Sequence, residues 1–185
     1  MSKQALILID IQNDYFSGGK WALEGADAAA ANAARLLEAA RQRGDLVVHV
    51  RHEFNSPDAP FFSPDSPGAQ IHPTVAPRDD ESVVLKHQVN AFQGTQLKSL
   101  LDDHAIKDLT IAGSMSHMCI DAATRAAADY GYKVTVAHDA CATLPLDFGQ
   151  VTVPAAQVHA TAMAALAFAY ASVEDTDTCL KDTEA

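Results

Sequence analysis

Short apolar runs alternate along this chain with longer helical runs, and this alternation restricts its fold more than any other feature. Ala5–Asp10 (ALILID) and Asp45–Arg51 (DLVVHVR) are short and mostly apolar, as expected of parallel strands that are buried on both faces. Between them, the alanine-rich run Asp27–Arg43 has helical character and is followed by Gly44, a common residue at helix C-termini. Strand, helix and strand in this order imply a right-handed parallel crossover.

The alternation continues to the end of the chain. Further strands are predicted at Val83–Lys86, Leu109–Ala112 and Lys133–Asp139, with a sixth strand or its remnant at Ala171–Thr176. Three further helices are predicted: one that Thr95 caps at its N-terminus, one at Cys119–Tyr130, and one from Pro154 to about Phe168. The pattern predicts an α/β fold with three layers (α/β/α), in which helices cover both faces of a doubly wound parallel sheet. We expect one domain over residues 1–185, with an acidic tail after Cys179 that frays.

One segment, His52–Asp80, lacks any clear periodicity and holds six of the eight prolines. Its apolar residues, among them Phe61 and Phe62, require burial somewhere. Long loops inside compact domains are usually lids or binding loops. We therefore predict a proline-stiffened loop that covers either the functional site or a subunit contact.

Composition excludes several classes of partner. The net charge of −11 argues against nucleic acid and anionic membrane surfaces, both of which select for basic patches. Three widely spaced cysteines form neither a disulfide framework nor a zinc motif, which favours a reducing cytoplasm. We see no signal peptide and no apolar run near the roughly 20 residues that span a bilayer. A cytoplasmic protein with a small-molecule substrate is predicted.

Three residues whose side chains can take part in catalysis lie at or just beyond the ends of predicted strands: Asp10, Lys86 and Cys119. The carboxyl ends of parallel strands share one edge of a sheet, where ligands bind, so these residues can meet. Each also has an ordinary interpretation, because Asp10 could begin a turn, Lys86 could be solvated and Cys119 could be a buried structural cysteine. Their expected proximity at one edge of the sheet instead indicates an active site with a cysteine nucleophile.

The chemistry of such a site follows from the residue types. Cys119 at the start of a helix would meet backbone N–H groups that favour its thiolate. Asp10 can take the thiol proton and return it to a leaving amine, while Lys86 compensates negative charge. The turn Gly113–Met118 can aim N–H groups at an oxyanion. These roles suit acyl transfer through a thioester.

The chain resembles the isochorismatase-like cysteine hydrolase superfamily, which includes nicotinamidases and N-carbamoylsarcosine amidase. The resemblance rests on LILIDIQNDYF (Leu6–Phe16), LKHQVNAFQGTQL (Leu85–Leu97) and AGSMSHMCIDAATRAAADYGYKVTVAHDACAT (Ala112–Thr143). It implies a six-stranded parallel sheet of order 3-2-1-4-5-6. It also implies an Asp–Lys–Cys catalytic triad that falls on the three residues named above, and homo-oligomers, which are usual among such proteins.

Further residues follow from the resemblance. It implies an oxyanion hole formed by the backbone N–H groups of Met115 and Cys119, and a non-proline cis peptide bond at Ser114–Met115. Phe16, in the first matched block, is a candidate substrate contact. His117 either faces the pocket or is a solvated turn residue.

A metal site is not predicted. Nicotinamidases of this superfamily place an Asp and two His residues after the second strand to bind a metal. Here that region reads HVRHEFNSPDAPFF, with no Asp in the expected position. His49, His52 and His72 do not reproduce the ligand spacing. We interpret them as polar loop or packing residues and expect neither metal nor cofactor.

The sequence therefore predicts a cofactor-independent cysteine hydrolase that cleaves a C–N bond of a small amide or ureido compound. One alternative is an isochorismatase-type ether hydrolase, in which Asp10 acts as the acid and Cys119 is dispensable. Another is a non-hydrolytic thiol protein, either a redox sensor or a binding module.

Overall fold

A six-stranded parallel sheet is the framework of the protein, whose computed structural model describes residues 4–181. Its strands are β1 (Gln4–Ile9), β2 (Leu46–His52), β3 (Ser82–Lys86), β4 (Asp108–Ser114), β5 (Lys133–Ala142) and β8 (Ser172–Glu174). They lie in the order β3-β2-β1-β4-β5-β8. The order implied by the resemblance is confirmed, and the sixth strand of the sheet is the eighth along the chain because β6 (Leu146–Phe148) and β7 (Val151–Val153) form a separate antiparallel hairpin.

Helices cover both faces of the sheet, so the predicted three layers are also confirmed. They are α1 (Ala26–Arg43), α2 (Leu97–Asp103), α3 (Asp121–Asp129), α4 (Ala155–Ala169) and α5 (Thr176–Lys181). Residues of α1 and α5 share one apolar core, and residues of α2, α3 and α4 share the other. None of the helices within residues 4–181 is long and apolar enough to cross a membrane.

The central strand shows why continuous apolar runs predict this architecture. Successive side chains of a strand point to opposite faces. In β1, Leu6 and Leu8 enter the core beneath α1, whereas Ile7 and Ile9 enter the core on the other face. All of these side chains are buried, so neither face of β1 tolerates polar residues.

Two short elements at the end of the chain differ from expectation. The hairpin β6–β7 was not predicted, and the tail expected to fray after Cys179 instead continues α5 through Lys181. Both are too short to show a period. Tertiary contacts place α5, because the Asp139 carboxylate accepts hydrogen bonds from Thr176 N (2.8 Å) and Oγ1 (2.7 Å). The rest of the predicted tail, residues 182–185, lies outside the described residues.

The proline-rich segment folds against the chain that follows β1. Phe61 and Phe62 are buried beside the ring of Tyr15, with centroid distances of 5.7 and 4.5 Å. The Asp14 carboxylate accepts a hydrogen bond of 2.7 Å from Phe62 N. A Cβ atom at Gly68 would lie 2.2 Å from the same carboxylate, which requires glycine there. The burial expected for these aromatic residues is confirmed.

Candidate active site

Three residues distant in sequence meet at the carboxyl edge of the sheet. Asp10 directly follows β1, Lys86 is the last residue of β3, and Cys119 lies in the turn between β4 and α3. Lys86 Nζ is 2.8 Å from Asp10 Oδ2 and 3.3 Å from Cys119 Sγ. The acid, the ammonium and the thiol that the sequence analysis singled out are therefore gathered around one nitrogen atom.

Burial and the contacts among the three side chains together set the protonation of this cluster. The side chains of Lys86 and Asp10 are 0% and 1% exposed, and Cys119 is 6% exposed. Burial lowers the pKa of Lys86, but its electrostatic interactions and hydrogen bonds with Asp10 and Cys119 outweigh burial and raise it overall. Burial and the Asp10 charge raise the pKa of Cys119 above its usual range, against the opposing effect of Lys86. At neutral pH the cluster therefore holds a thiol beside an ion pair.

This protonation state corrects the expectation that Cys119 favours its thiolate. Cys119 lies near the start of a continuous helical segment, because a π-helical turn, Ser116–Ile120, leads directly into α3 at Asp121. The amides of Met118 and Ile120 both donate to the Met115 carbonyl oxygen, at 3.0 and 3.2 Å. Single π-helical turns are frequent at functional sites. The α-helical part of this segment begins at Asp121, two residues after the predicted start at Cys119.

At Gly113, near the end of β4, the backbone that leads into the Cys119 turn approaches β1 very closely. Gly113 is paired with Ile9 and has a φ of +131°. A Cβ atom there would lie 1.9 Å from the Ile9 carbonyl oxygen, so only glycine fits. The peptide bond between Ser114 and Met115 is cis, as the resemblance implied. This close approach positions the Cys119 turn beside Asp10.

His52 is a fourth member of the cluster that the sequence analysis did not place there. It is the last residue of β2 and the register partner of Lys86 on β3. Its Nδ1 atom lies 3.1 Å from Lys86 Nζ. Burial and the charge of Lys86 lower the pKa of His52 to about 4, so its ring is neutral at pH 7. Its position at a strand end, like that of Lys86, was the available signal.

The two candidate substrate contacts lie near the cluster. Phe16 is buried, stacks on His72 at a centroid distance of 3.7 Å, and lines a small cavity with Asp10 and Ser114. That cavity, about 10 Å³, has room for about one water molecule. His117 is half-buried, and its Nδ1 lies 2.7 Å from Thr143 Oγ1. Contact of either residue with substrate stays a prediction.

A larger cavity lies at the carboxyl end of β5. Its volume is about 350 Å³, and its lining includes Glu24, His138, Thr143 and His159. Ser116, in the turn that carries Cys119, shares a hydrogen bond of 2.7 Å between its hydroxyl oxygen and His159 Nδ1. The cavity therefore adjoins the turn that presents the thiol.

The three histidines near β2 do not form a common ligand set. His49 Nε2 lies 2.9 Å from the Glu81 carboxylate, His52 contacts Lys86, and His72 stacks on Phe16. Across residues 4–181, no group of three or more His, Cys, Asp or Glu side chains is arranged to hold a metal ion. Each ring instead has its own packing or hydrogen-bonding partner.

Comparison with known proteins places these features in context. The sequence model of the isochorismatase domain matches residues 4–178. The chain is 46% identical over 177 residues to the uncharacterized isochorismatase family protein YddQ of Bacillus subtilis (strain 168), covering 96% of this chain and 98% of the relative. A crystal structure of a candidate isochorismatase hydrolase from Oleispira antarctica is similar, with a TM-score of 0.93, 60% identity and coverage of 96% of each chain.

Two relatives have names that state a substrate. A streptothricin hydrolase of Streptomyces noursei is 36% identical, and the match covers 83% of this chain and 55% of the relative. The nicotinamidase of Escherichia coli (strain K12) is 30% identical, and the match covers 76% of this chain and 84% of the relative. The chain thus spans about half the length of the first of these relatives and most of the second.

Proposed function

The chain belongs to the isochorismatase family of hydrolases, and from this premise we propose that it cleaves a C–N bond of a small amide or ureido compound through a thioester on Cys119. One observation carries the proposal: a single ammonium, Lys86 Nζ, contacts both Asp10 Oδ2 and Cys119 Sγ. Nucleophilic acyl transfer requires a thiol with an adjacent base, and here one cation lies against both groups.

The proton path follows from the charges. At rest, Asp10 is negative, Lys86 is positive and Cys119 is a thiol. When Sγ attacks the carbonyl carbon, its proton moves to Asp10 and the negative charge passes to the substrate oxygen. Lys86 stays positive and remains in contact with both partners, so the cluster never carries two uncompensated negative charges.

The remaining steps return the enzyme to its starting state. The oxyanion is held by the backbone N–H groups of Met115 and Cys119. As it collapses, the C–N bond breaks, and the nitrogen takes the proton from Asp10 and leaves as ammonia or an amine. Water then attacks the thioester and gives its proton to Asp10. The C–S bond breaks, and that proton returns to Cys119.

Two relatives guide the choice of substrate. One is named nicotinamidase and the other streptothricin hydrolase, and an amidase among the relatives supports an amide or ureido compound here. The region after β2 has no Asp in the position that the resemblance associates with the nicotinamidase metal site, so we place nicotinamide below other small amides. The expected homo-oligomer and cytoplasmic location stay predictions of the sequence.

A screen for ammonia release from small primary amides and ureido compounds tests the proposal. On any substrate found, Cys119→Ala is expected to abolish turnover, whereas Cys141→Ala, which removes another buried cysteine, is expected to retain it. Mass spectrometry after rapid quenching is expected to show the acyl group on the peptide that contains Cys119. Full activity of Cys119→Ala would refute the thioester mechanism.

The same variant separates the ether-hydrolase alternative. That reaction needs Asp10 as an acid but no thiol nucleophile. It predicts that Cys119→Ala keeps its activity on an enol ether such as isochorismate, while Asp10→Asn loses it. Loss of activity in both variants on an amide supports C–N cleavage.

A further inference from the structure

We propose that His52 is a positioning residue that holds the Lys86 ammonium between Asp10 and Cys119. The kinetic consequence of this inference rests on the proposed function, whereas the contact between the two side chains does not. His52 Nδ1 lies 3.1 Å from Lys86 Nζ. The two residues are register partners at the ends of neighbouring parallel strands, so the backbone itself sets the contact.

The surroundings of the ammonium show what His52 contributes. Lys86 Nζ has three protons and four neighbours that can accept them: Asp10 Oδ2, Cys119 Sγ, His52 Nδ1 and the Gln88 carbonyl oxygen. A lysine side chain is flexible, and its head group is oriented only by its partners. His52 is the one neutral side-chain nitrogen among these acceptors. It can therefore orient the ammonium without adding a charge that competes with Asp10 or Cys119.

His52 is itself fixed in place. The side-chain amide of Gln12 bonds to both sides of the residue, because Oε1 accepts from His52 N and Nε2 donates to His52 O, each at 2.8 Å. The same Nε2 donates to Ala69 O at 2.7 Å, which links the proline-rich segment to this point. The His52 ring also packs edge-on against Phe54 at a centroid distance of 4.6 Å. A residue held so firmly can act as a fixed reference for a flexible neighbour.

The protonation of His52 suits this role. The charged and titratable groups that act on its ring are Lys86, Asp10 and His87. Burial and Lys86 keep the imidazole neutral, and Asp10 opposes them only in part. The Gln88 carbonyl oxygen also acts on the ring and raises its pKa. An ammonium can only donate, so the contact with Lys86 assigns the acceptor role to Nδ1 and the ring proton to Nε2. Nε2 is buried and has no hydrogen-bond partner among the described residues. Such unpaired buried groups are rare, and a hydrocarbon side chain would avoid this one if His52 only filled space.

Two substitutions separate positioning from packing. His52→Leu removes the acceptor, whereas His52→Asn places an amide oxygen near the position of Nδ1. We expect His52→Leu to lower kcat/KM by roughly 10- to 100-fold, which corresponds to the loss of one hydrogen bond to a charged group. We expect His52→Asn to recover most of this loss. His49→Leu is the matched control, because His49 is a buried histidine of the same strand that bonds to Glu81 and not to Lys86.

A pH profile gives a readout that packing alone would not change. Without its His52 acceptor the Lys86 ammonium is less stable, so the alkaline limb of kcat/KM is expected to move to lower pH by roughly one to two units in His52→Leu. The profiles of His52→Asn and His49→Leu are expected to match that of the wild type. Equal shifts in the Leu and Asn variants, or no shift in either, would overturn the proposal.

Alkylation of Cys119 tests the same contact without any substrate. A positive Lys86 favours the thiolate, so early loss of that charge in His52→Leu is expected to move the pH profile of iodoacetamide labelling at Cys119 to higher pH. His52→Asn is expected to follow the wild type. If no amide is ever turned over but the labelling profile moves in His52→Leu alone, the proposed function fails while the positioning role stands. An unchanged profile refutes the positioning role.

Discussion

The carboxylate of Asp10 and the ammonium of Lys86 form an ion pair of 2.8 Å that is almost entirely excluded from solvent. A buried ion pair adds little to stability by itself, but removal of one partner leaves the other charge uncompensated. Asp10 also has a φ of +53°, in the left-handed region that Asp and Asn tolerate better than most residues. This pair therefore combines a stability cost with a chemical role, and the two can be measured separately.

Replacement of Asp10 by Asn should abolish activity and also lower stability. Asn keeps the shape and the positive φ but cannot take the thiol proton, so we expect at least a roughly 100-fold loss of kcat. The unpaired Lys86 should lower the free energy of unfolding by about 3–5 kcal/mol, measured by urea denaturation. The double variant Asp10→Asn with Lys86→Met should recover stability but not activity. Asp139→Asn, which changes a carboxylate within β5 that bonds to Thr176, should stay active, and wild-type activity in Asp10→Asn would contradict the mechanism.

Protonation of Glu81 should lower the free energy of unfolding of the protein in acid. A hydrogen bond from Arg41 has the largest effect on Glu81 and lowers its pKa, whereas burial opposes it. Further hydrogen bonds with the Arg78 backbone and with His49 complete the fall from 4.5 to about 2. Because the pKa is lowered in the folded state, this contribution is complete above pH 4.5 and is lost as the pH falls towards 2. Glu81→Gln should therefore be less stable than the wild type by about 2 kcal/mol at pH 7, with a smaller difference at pH 3.

Urea denaturation at the two pH values checks this prediction. Glu38→Gln is the control, because Glu38 is 55% exposed and its nearest cation, Arg78, is 3.8 Å away. Its free energy of unfolding should match that of the wild type at both pH values. A Glu81→Gln difference that stays constant with pH would show that ionisation of Glu81 does not matter.

Glycine should be required at position 113. In Gly113→Ala the new methyl group would overlap the Ile9 carbonyl oxygen, so β1 and β4 could not pair in their present register. We expect the variant to be insoluble or to lack a cooperative thermal transition by circular dichroism. Gly149 also has a positive φ, but a Cβ atom there would meet no atom within 4 Å. Gly149→Ala should therefore fold and lose only about 1 kcal/mol of its free energy of unfolding. Wild-type thermal stability of Gly113→Ala would disprove the close contact.

Phe16 should influence substrate binding more than chemistry. Its ring lines the small cavity beside Asp10, so Phe16→Leu is expected to raise KM roughly tenfold with little change in kcat. Steady-state kinetics on the substrate found by the ammonia screen measures both constants. Phe92→Leu is the control, because Phe92 is equally buried but packs against Tyr130 and Tyr132. Equal effects of the two substitutions would indicate general loosening of the core.

Much of the site could be predicted from the sequence because parallel strands have polarity. Once Ala5–Asp10 and Val83–Lys86 are interpreted as parallel strands, the residues at their carboxyl ends must lie at one edge. The structure confirms that Asp10 and Lys86 meet there. The order of the strands did not follow from the apolar pattern, because buried parallel strands look alike, and it came instead from the resemblance.

His52 shows where this approach stops. It ends β2 as Lys86 ends β3, but only the order of the strands shows that these two strand ends are neighbours. The π-helical turn at Ser116–Ile120 likewise has no signal in residue spacing. It differs from an α-helix because Ile120 N donates to the Met115 carbonyl oxygen, five residues back, where an α-helix uses the residue four back.

The sequence alone determined the layers of the fold, the polarity of the sheet and the acid, ammonium and thiol at its edge, because burial periodicity and strand direction are local properties of the chain. Only the tertiary structure decided that His52 contacts Lys86 and that Cys119 rests as a thiol. Strand neighbours and solvent exclusion set both features, and each depends on residues far apart in the chain.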